Sequence, residues 1–290
     1  MKKLLALICS PRKPSNSELF AKAVAKELGS DWNLELVRLV EWKIFPCRAC
    51  YKCLFNSCPQ KDDMSALLEH IANADALIIA APTYFLGPNA RLKTFLDRGL
   101  MFYSLLDKLW GKPMLGVVTA GIKGMEGYSK LVLDGAIKIM GGRLLGTVVV
   151  FGAFPGEAVM GVENREKIRK AAEALISNRP IEEESEIRCP VCGGDSFRFG
   201  SNGFVKCLRC SNEGNWSIEN GRLRMDIAVG EHRLFLSYEE AQKHADWLRG
   251  MKERFLEVRH QLKPVIQEFA GVGQTIVPPS KTEESREVSE

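Results

Sequence analysis

Short aliphatic runs alternate with longer stretches of helical period over residues 1–176. The runs stand at 3–9 (KLLALIC), 33–39 (NLELVRL), 76–81 (ALIIAA), 114–120 (MLGVVTA) and 144–151 (LLGTVVVF). Each is short and rich in aliphatic residues, the pattern of a strand buried on both faces. Between and after them, residues 16–28, 63–73, 89–107, 126–140 and 163–177 carry apolar positions at helical spacing. Five strand–helix repeats with right-handed crossovers predict an α/β fold, a doubly wound five-stranded parallel sheet. The ligand crevice of such a sheet lies beyond the carboxyl ends of its strands.

The pattern changes after residue 177. Residues 178–188 (NRPIEEESEIR) are acidic and read as a linker. Residues 189–226 hold short alternating stretches between Gly and Asn turns and predict small hairpins. A helix is predicted over 238–269, with acidic residues in its first turn that favour the helix dipole. Its apolar positions Ala241, Ala245, Leu248, Met251, Phe255, Val258 and Leu262 alternate spacings of four and three, a narrow heptad seam for packing. Pro264 is expected to end or kink it, and the polar tail 271–290 to be disordered.

Composition narrows the class. The 290 residues are 46% hydrophobic and 26% charged, ordinary for a globular protein. No apolar run reaches the roughly 18 residues of a membrane helix. The opening MKKLLALICS stops being apolar at Cys9 and reads as a strand, not an export signal. A net charge of +4 is too weak and too mixed for a nucleic-acid surface. Without a secretion signal the expected setting is the reducing cytoplasm, where nine cysteines point to metal sites instead of disulfides.

Eight of the nine cysteines fall in two groups. Cys47, Cys50, Cys53 and Cys58 crowd into CRACYKCLFNSC, with Pro59 behind them. Two-residue gaps let thiolates converge on one centre, and the run is close to the ferredoxin spacing. An iron–sulfur cluster, zinc, or no metal all remain open from the spacing. Tyr51 and Phe55, between the ligands, are expected to shield the site. Cys189-x2-Cys192 and Cys207-x2-Cys210 stand fourteen residues apart, the pattern of a zinc ribbon. A rubredoxin-like iron site uses similar knuckles with wider separation. His70, His232, His244 and His260 are scattered and read as solvated or structural.

Three loops follow strand ends. CSPRKPSNS opens the first helix, where Ser10, Ser15, Asn16 and Ser17 offer polar groups, Arg12 a charge, and the helix start free amides. That set suits a phosphate monoester. It is neither the glycine fingerprint of dinucleotide folds nor a nucleotide-triphosphatase loop. After the third strand, Pro82, Thr83, Tyr84 and Phe85 suit a flat apolar ligand, and Asn89 is placed to cap the next helix. After the fourth, Thr119, Ala120 and Gly121 bring backbone to the same crevice.

SPRKPSNS, APTYFLGPNARLKTFLDR and TAG together resemble the flavodoxin-like NADPH-dependent FMN reductases over residues 1–176. The resemblance implies that Ser10, Arg12, Ser15, Asn16 and Ser17 hold the FMN phosphate. It implies that Pro82, Thr83, Tyr84, Phe85, Thr119, Ala120 and Gly121 line the isoalloxazine. Cys9 and Ser15 stand where that family usually has glycine, which tightens backbone approach to the phosphate. The cysteine run and the KDDM after it are similar to the iron–sulfur flavoprotein subgroup, implying a 4Fe–4S cluster on Cys47, Cys50, Cys53 and Cys58. Zinc would then sit on Cys189, Cys192, Cys207 and Cys210. The implied activity is a flavin-dependent oxidoreductase passing electrons between cluster and FMN, with no side chain required as acid or base. Ferredoxin or NAD(P)H is the implied donor and a homo-oligomer the implied assembly. The rival expectations are a plain NAD(P)H-dependent FMN or quinone reductase without a cluster, and a zinc-ribbon binding protein on a flavodoxin-like scaffold.

Overall fold

The computed structural model describes residues 1–182, 187–231, 233, 236–274 and 276. His232, part of the acidic linker (183–186) and most of the tail therefore lie outside the described residues. Contacts divide the chain into two compact units, Met1–Ala245 and Asp246–Glu290.

In the first unit, β1 (Lys2–Ile8), β2 (Trp32–Arg38), β3 (Ala76–Tyr84), β5 (Pro113–Ala120) and β6 (Arg143–Phe151) form a parallel sheet in the order β2-β1-β3-β5-β6. A two-residue strand, β4 (Gly87–Pro88), pairs antiparallel with the end of β3. The period of two is visible in β1. Leu5 and Leu7 join the core on one face, and Leu4, Ala6 and Ile8 the core on the other. The first core is covered by α2 (Met64–Asn73), α3 (Ala90–Leu96), α4 (Leu106–Leu109) and α5 (Ser129–Ile139) through Leu67, Ile71, Phe95, Leu109, Leu133 and Ile137. The second is covered by α1 (Asn16–Leu28) and α6 (Gly161–Ser177) through Phe20, Val24, Ala171 and Leu175.

Element ends follow their chemistry. Ser15 caps α1, its hydroxyl accepting from the Glu18 amide at 3.2 Å, and Gly29 leaves the helix at φ +75°. The Lys112 ammonium donates to the carbonyls of Ile71, Ala72 and Ala74, which the end of α2 leaves without helical partners.

Several expectations need correction. The helix predicted over 89–107 is three pieces, α3, a 3-10 turn over Gly99–Leu105, and α4. Periodicity ran through the break because both sides bury apolar residues. The break falls where the Arg98 side chain turns inward to polar partners. Asn89 sits at the N-cap position of α3 but makes no capping bond; its Nδ2 donates instead to the Cys9 carbonyl at 2.6 Å. Pro82, Thr83 and Tyr84 are the last residues of β3 itself, not of the loop after it. The predicted start of the fourth helix at residue 126 moves to Ser129, the first residue of α5.

The cysteine module is a four-stranded antiparallel sheet in the order β10-β9-β8-β7. Its strands are β7 (Phe197–Phe199), β8 (Phe204–Cys207), β9 (Glu213–Glu219) and β10 (Arg222–Ile227). It docks on α5 through Lys130 to Asp195 at 2.7 Å and Arg209 to Asp134 at 3.6 Å. The last helix, α7, spans Tyr238–Glu268 and continues through Pro264 instead of ending there. Of the heptad positions, Ala241 and Ala245 are buried in the first unit. In the second unit Phe255 and Leu262 are exposed. Among the described residues no helix is long and apolar enough to cross a membrane.

A buried ion pair ties α1 to β2. Glu18 meets Arg38, with both side chains 8% exposed, and Lys22 adds a bond at 2.6 Å. Burial pushes the Glu18 carboxyl up, but Lys22 and Arg38 outweigh it and hold it below the usual glutamate value. A carboxyl lowered in the folded state lends stability that is complete above its unfolded value, about 4.3. That stability is lost as pH falls through the lower folded value. Urea unfolding across pH 7 to 2 is expected to show Glu18→Gln less stable than wild type at neutral pH, the gap closing in acid. A gap independent of pH would remove the electrostatic role.

Candidate functional site

All five parallel strands release their chains at one rim, and the loops there enclose a cleft of about 260 Å³. Ser10, Arg12, Ser15, Asn16, Pro82, Thr83, Tyr84, Thr119 and Gly121 line it, together with Gly152, Ala153 and Pro155. The structure places three other predicted residues elsewhere. Ser17 is buried, its hydroxyl 3.1 Å from Thr119 Oγ1. Ala120 is buried at the end of β5. Phe85 points away from the chain, fully exposed, with φ +49°.

The loop 10–17 is held from several sides. The Arg12 amide donates to Ser10 Oγ at 3.3 Å, and the Arg12 guanidinium donates to the Ala153 carbonyl at 3.1 Å. Buried Arg38 donates to the Arg12 carbonyl at 2.7 Å, so the Glu18–Arg38 pair braces this loop. The first amides of α1 have no intrahelical acceptors and face the same end of the sheet. Cys9, one residue before the loop, is buried and its thiol pushed up to about 12 by burial, so it stays protonated.

Asn16 differs from the reading of its residue type. Both ends of its amide are engaged within the protein. Nδ2 donates to the Gly152 carbonyl at 2.9 Å, and Oδ1 accepts from the Gly156 amide at 2.9 Å and the Ala158 amide at 3.4 Å. It thereby fixes a fourth loop, 152–158, which the sequence reading passed over. Glu157 shapes the same loop by accepting from the Ala153 and Phe154 amides at 2.6 and 2.9 Å. The signal was present as a Gly-Ala-Phe-Pro-Gly run directly after the fifth strand. Across the cleft, Thr83 Oγ1 and Ser129 Oγ lie 2.9 Å apart, joining the end of β3 to the start of α5.

The cysteine run follows β2 and leaves the sheet at this same rim. Its base is closed by the Lys43 amide to Asp63 Oδ2 at 2.7 Å and the Asp63 amide to the Lys43 carbonyl at 2.9 Å. Ala49 (φ +49°) and Tyr51 (φ +57°) are left-handed, uncommon for residues with a Cβ and a cost of about 1–3 kcal/mol each. Cys47 and Cys50 are exposed, and Cys53 and Cys58 half-buried. Burial raises the Cys53 thiol, and the neighbouring Cys58, Cys47 and Cys50 raise it further by repulsion. Tyr51 and Phe55 are 45% and 51% exposed. Neither is covered as a closed shield would be, and Tyr51 itself stands on a left-handed backbone.

The second group is tighter. Its four sulfurs lie within 4.8 Å of one another, Cys189 to Cys210 at 3.8 Å and Cys192 to Cys207 at 3.6 Å. Ligands at 2.3 Å on a tetrahedron stand about 3.8 Å apart, so these residues fit a single thiolate-bound ion. Matching turns present them, with the Gly193 amide on the Cys189 carbonyl at 2.8 Å and the Ser211 amide on the Cys207 carbonyl at 2.9 Å. Hydrogen bonds from Cys207 and Cys210, then the Arg209 guanidinium, drive the Cys192 thiol down toward the thiolate a metal needs. Among the described residues the first run is not gathered this closely; its four thiolates are the soft donor set of an iron–sulfur centre or of zinc.

Comparison with known proteins agrees with this arrangement. The model of the NADPH-dependent FMN reductase family matches residues 2–155. An iron–sulfur flavoprotein of Archaeoglobus fulgidus is 34% identical over 199 residues, spanning 64% of this chain and 87% of the relative. An iron–sulfur flavoprotein of Methanosarcina thermophila is 35% identical over 103 residues, 34% of this chain and 53% of the relative. Among solved structures, a flavone reductase shares the fold with a TM-score of 0.70 at 17% identity, covering 95% of this chain and 99% of its own. Sheet order, rim cleft and cysteine run thus converge, and the chain belongs to the NADPH-dependent FMN reductase family, in its iron–sulfur flavoprotein branch, as a flavin-dependent oxidoreductase.

Proposed function

We propose that the chain carries electrons between FMN in the rim cleft and a 4Fe–4S cluster on Cys47, Cys50, Cys53 and Cys58, with zinc in the ribbon. The observation that carries this reading is the shared rim. The braced loop 10–17 and the cysteine run both leave carboxyl ends of adjacent strands, β1 and β2. When bound, FMN supplies two-electron hydride and one-electron chemistry, and a cluster supplies one-electron transfer only, so both together interconvert the two modes.

The chain's own residues bind and orient. Ser10 and Ser15 offer hydroxyls to a phosphate, Arg12 a charge, and the start of α1 its free amides. Asn16 serves by holding the loop 152–158 against them. Pro82, Thr83 and Tyr84 at the end of β3, with Thr119 and Gly121, bound the space for a flat ring. Exposed Cys47 and Cys50 leave the run open toward a one-electron donor, which favours a reduced ferredoxin over NAD(P)H as its source. Exposed Phe85 and Phe154 beside the cleft suit a homo-oligomer. Cys189, Cys192, Cys207 and Cys210 hold zinc as the folding centre of the ribbon.

Metal, sulfide and flavin analysis of anaerobically purified protein tests this directly. Wild type is expected to carry about four irons per chain, matching sulfide, FMN and zinc. Cys50→Ala is expected to lose iron and sulfide and keep FMN; unchanged iron would refute the cluster. Cys192→Ala is expected to lose zinc and keep iron, and unaltered zinc would refute the ribbon site. Wild type with FMN but no iron would favour a plain reductase.

Asn16→Ala removes three bonds to the loop 152–158. FMN affinity is expected to fall about tenfold or more, at about 1 kcal/mol per bond lost. Fluorescence titration measures it, and an unmoved Kd would show that the loop plays no part.

A further inference from the structure

Arg98 is 2% exposed, yet it serves neither the cleft nor the ribbon. It stands between α3 and the 3-10 turn that follows, where the predicted long helix breaks. Its Nη1 donates to the Phe45 carbonyl at 3.0 Å and to Asp62 Oδ2. Its Nη2 donates to Asp62 Oδ1 at 3.3 Å and to the Cys58 sulfur at 3.3 Å, with Met101 Sδ at 3.6 Å. Asp62 in turn accepts from the Phe45 amide at 2.8 Å and the Met64 amide at 3.2 Å. One buried ion pair therefore joins both ends of the cysteine run, and its cation rests on one of the four sulfurs.

Stability alone does not account for this choice. Burying charge carries a large desolvation cost, and apolar residues of similar volume often serve a fold as well. Contact with sulfur does account for it. Arg48, Lys52 and Lys61 near the run are exposed, where water and salt screen them. Arg98 is screened by neither.

The geometry points to Arg98 as the positioning residue that sets the reduction potential of the centre held by Cys58. The inference rests on the cluster reading above. Reduction adds one electron and releases nothing, so the thiolate-bound centre becomes one unit more negative. A cationic N–H donor on a ligand sulfur favours that state and raises the potential.

The test is a redox titration of the anaerobically purified holoprotein with dithionite, which gives the electron and is oxidised, followed by electron paramagnetic resonance. Arg98→Met combined with Asp62→Asn removes cation and anion together, so no charge is left buried alone. The account expects iron and FMN retained, the flavin potential unmoved, and reduction of the cluster at least tenfold less favourable, a drop of about 59 mV per tenfold. If that variant does not load iron, Arg98→Lys is titrated instead. A drop is required there too, because a lysine lacks the planar fork by which Arg98 grips both Asp62 oxygens while its Nη2 rests on the Cys58 sulfur. An unmoved cluster potential in whichever variant loads iron overturns the proposal. Failure of both to load, with FMN kept, makes Arg98 an anchor of the loop only and overturns the tuning role. Wild type without iron overturns the cluster reading itself, an outcome distinct from a loaded variant whose potential stays put.

Discussion

Everything at the functional end depends on one constraint. Parallel strands pair along their length but must all let go of their partners at the same edge. In this chain that edge belongs to β1, β2, β3, β5 and β6, and the loops leaving it supply polar groups that the sheet cannot satisfy. Side chains then fix each loop to another. Arg38 holds the Arg12 carbonyl, Asn16 holds the loop after β6, and Asn89 holds the Cys9 carbonyl. The cleft is the space these mutual restraints leave open.

The cysteine groups show how one residue type builds two kinds of site. In the ribbon, short knuckles bring four sulfurs to the spacing of a single ion. A module this small has little core of its own, with Val205 and Ile227 among its few buried aliphatic residues, so a metal held by the four cysteines would contribute much of its folding energy. The run after β2 is built otherwise. It is fixed at its base and by Arg98, while two left-handed residues curl its tip. In the proposed reading such a loop would hold a cluster with Cys47 and Cys50 on its exposed side.

Much of this was legible in the sequence. Aliphatic runs located all five parallel strands: β1, β3 and β5 are buried along most of their length, and edge strand β2 still shows its aliphatic positions although Asn33 and Glu35 interrupt them. The cysteine spacings identified both groups, since spacing alone decides which sulfurs share a turn. Tertiary polar contacts were not legible. Nothing local told that Asn16 would turn to the loop 152–158, or that Asn89 would leave its capping position for Cys9. The break at Arg98 was hidden for the same reason: apolar periodicity continues across it, and its cause lies at Asp62 and Cys58, far away in the chain. Nor was it legible that Phe85, next to the end of β3, would stand exposed on a left-handed backbone.

The central claim is that the rim cleft grips a flavin by its phosphate. Calorimetric titration of flavin-stripped protein with FMN and with riboflavin addresses it most directly. Two charge-assisted bonds to phosphate, at about 1.5–3 kcal/mol each, require FMN to bind at least about a hundredfold more tightly, one molecule per chain. Equal affinity for the two flavins, or no binding of either, would contradict the account.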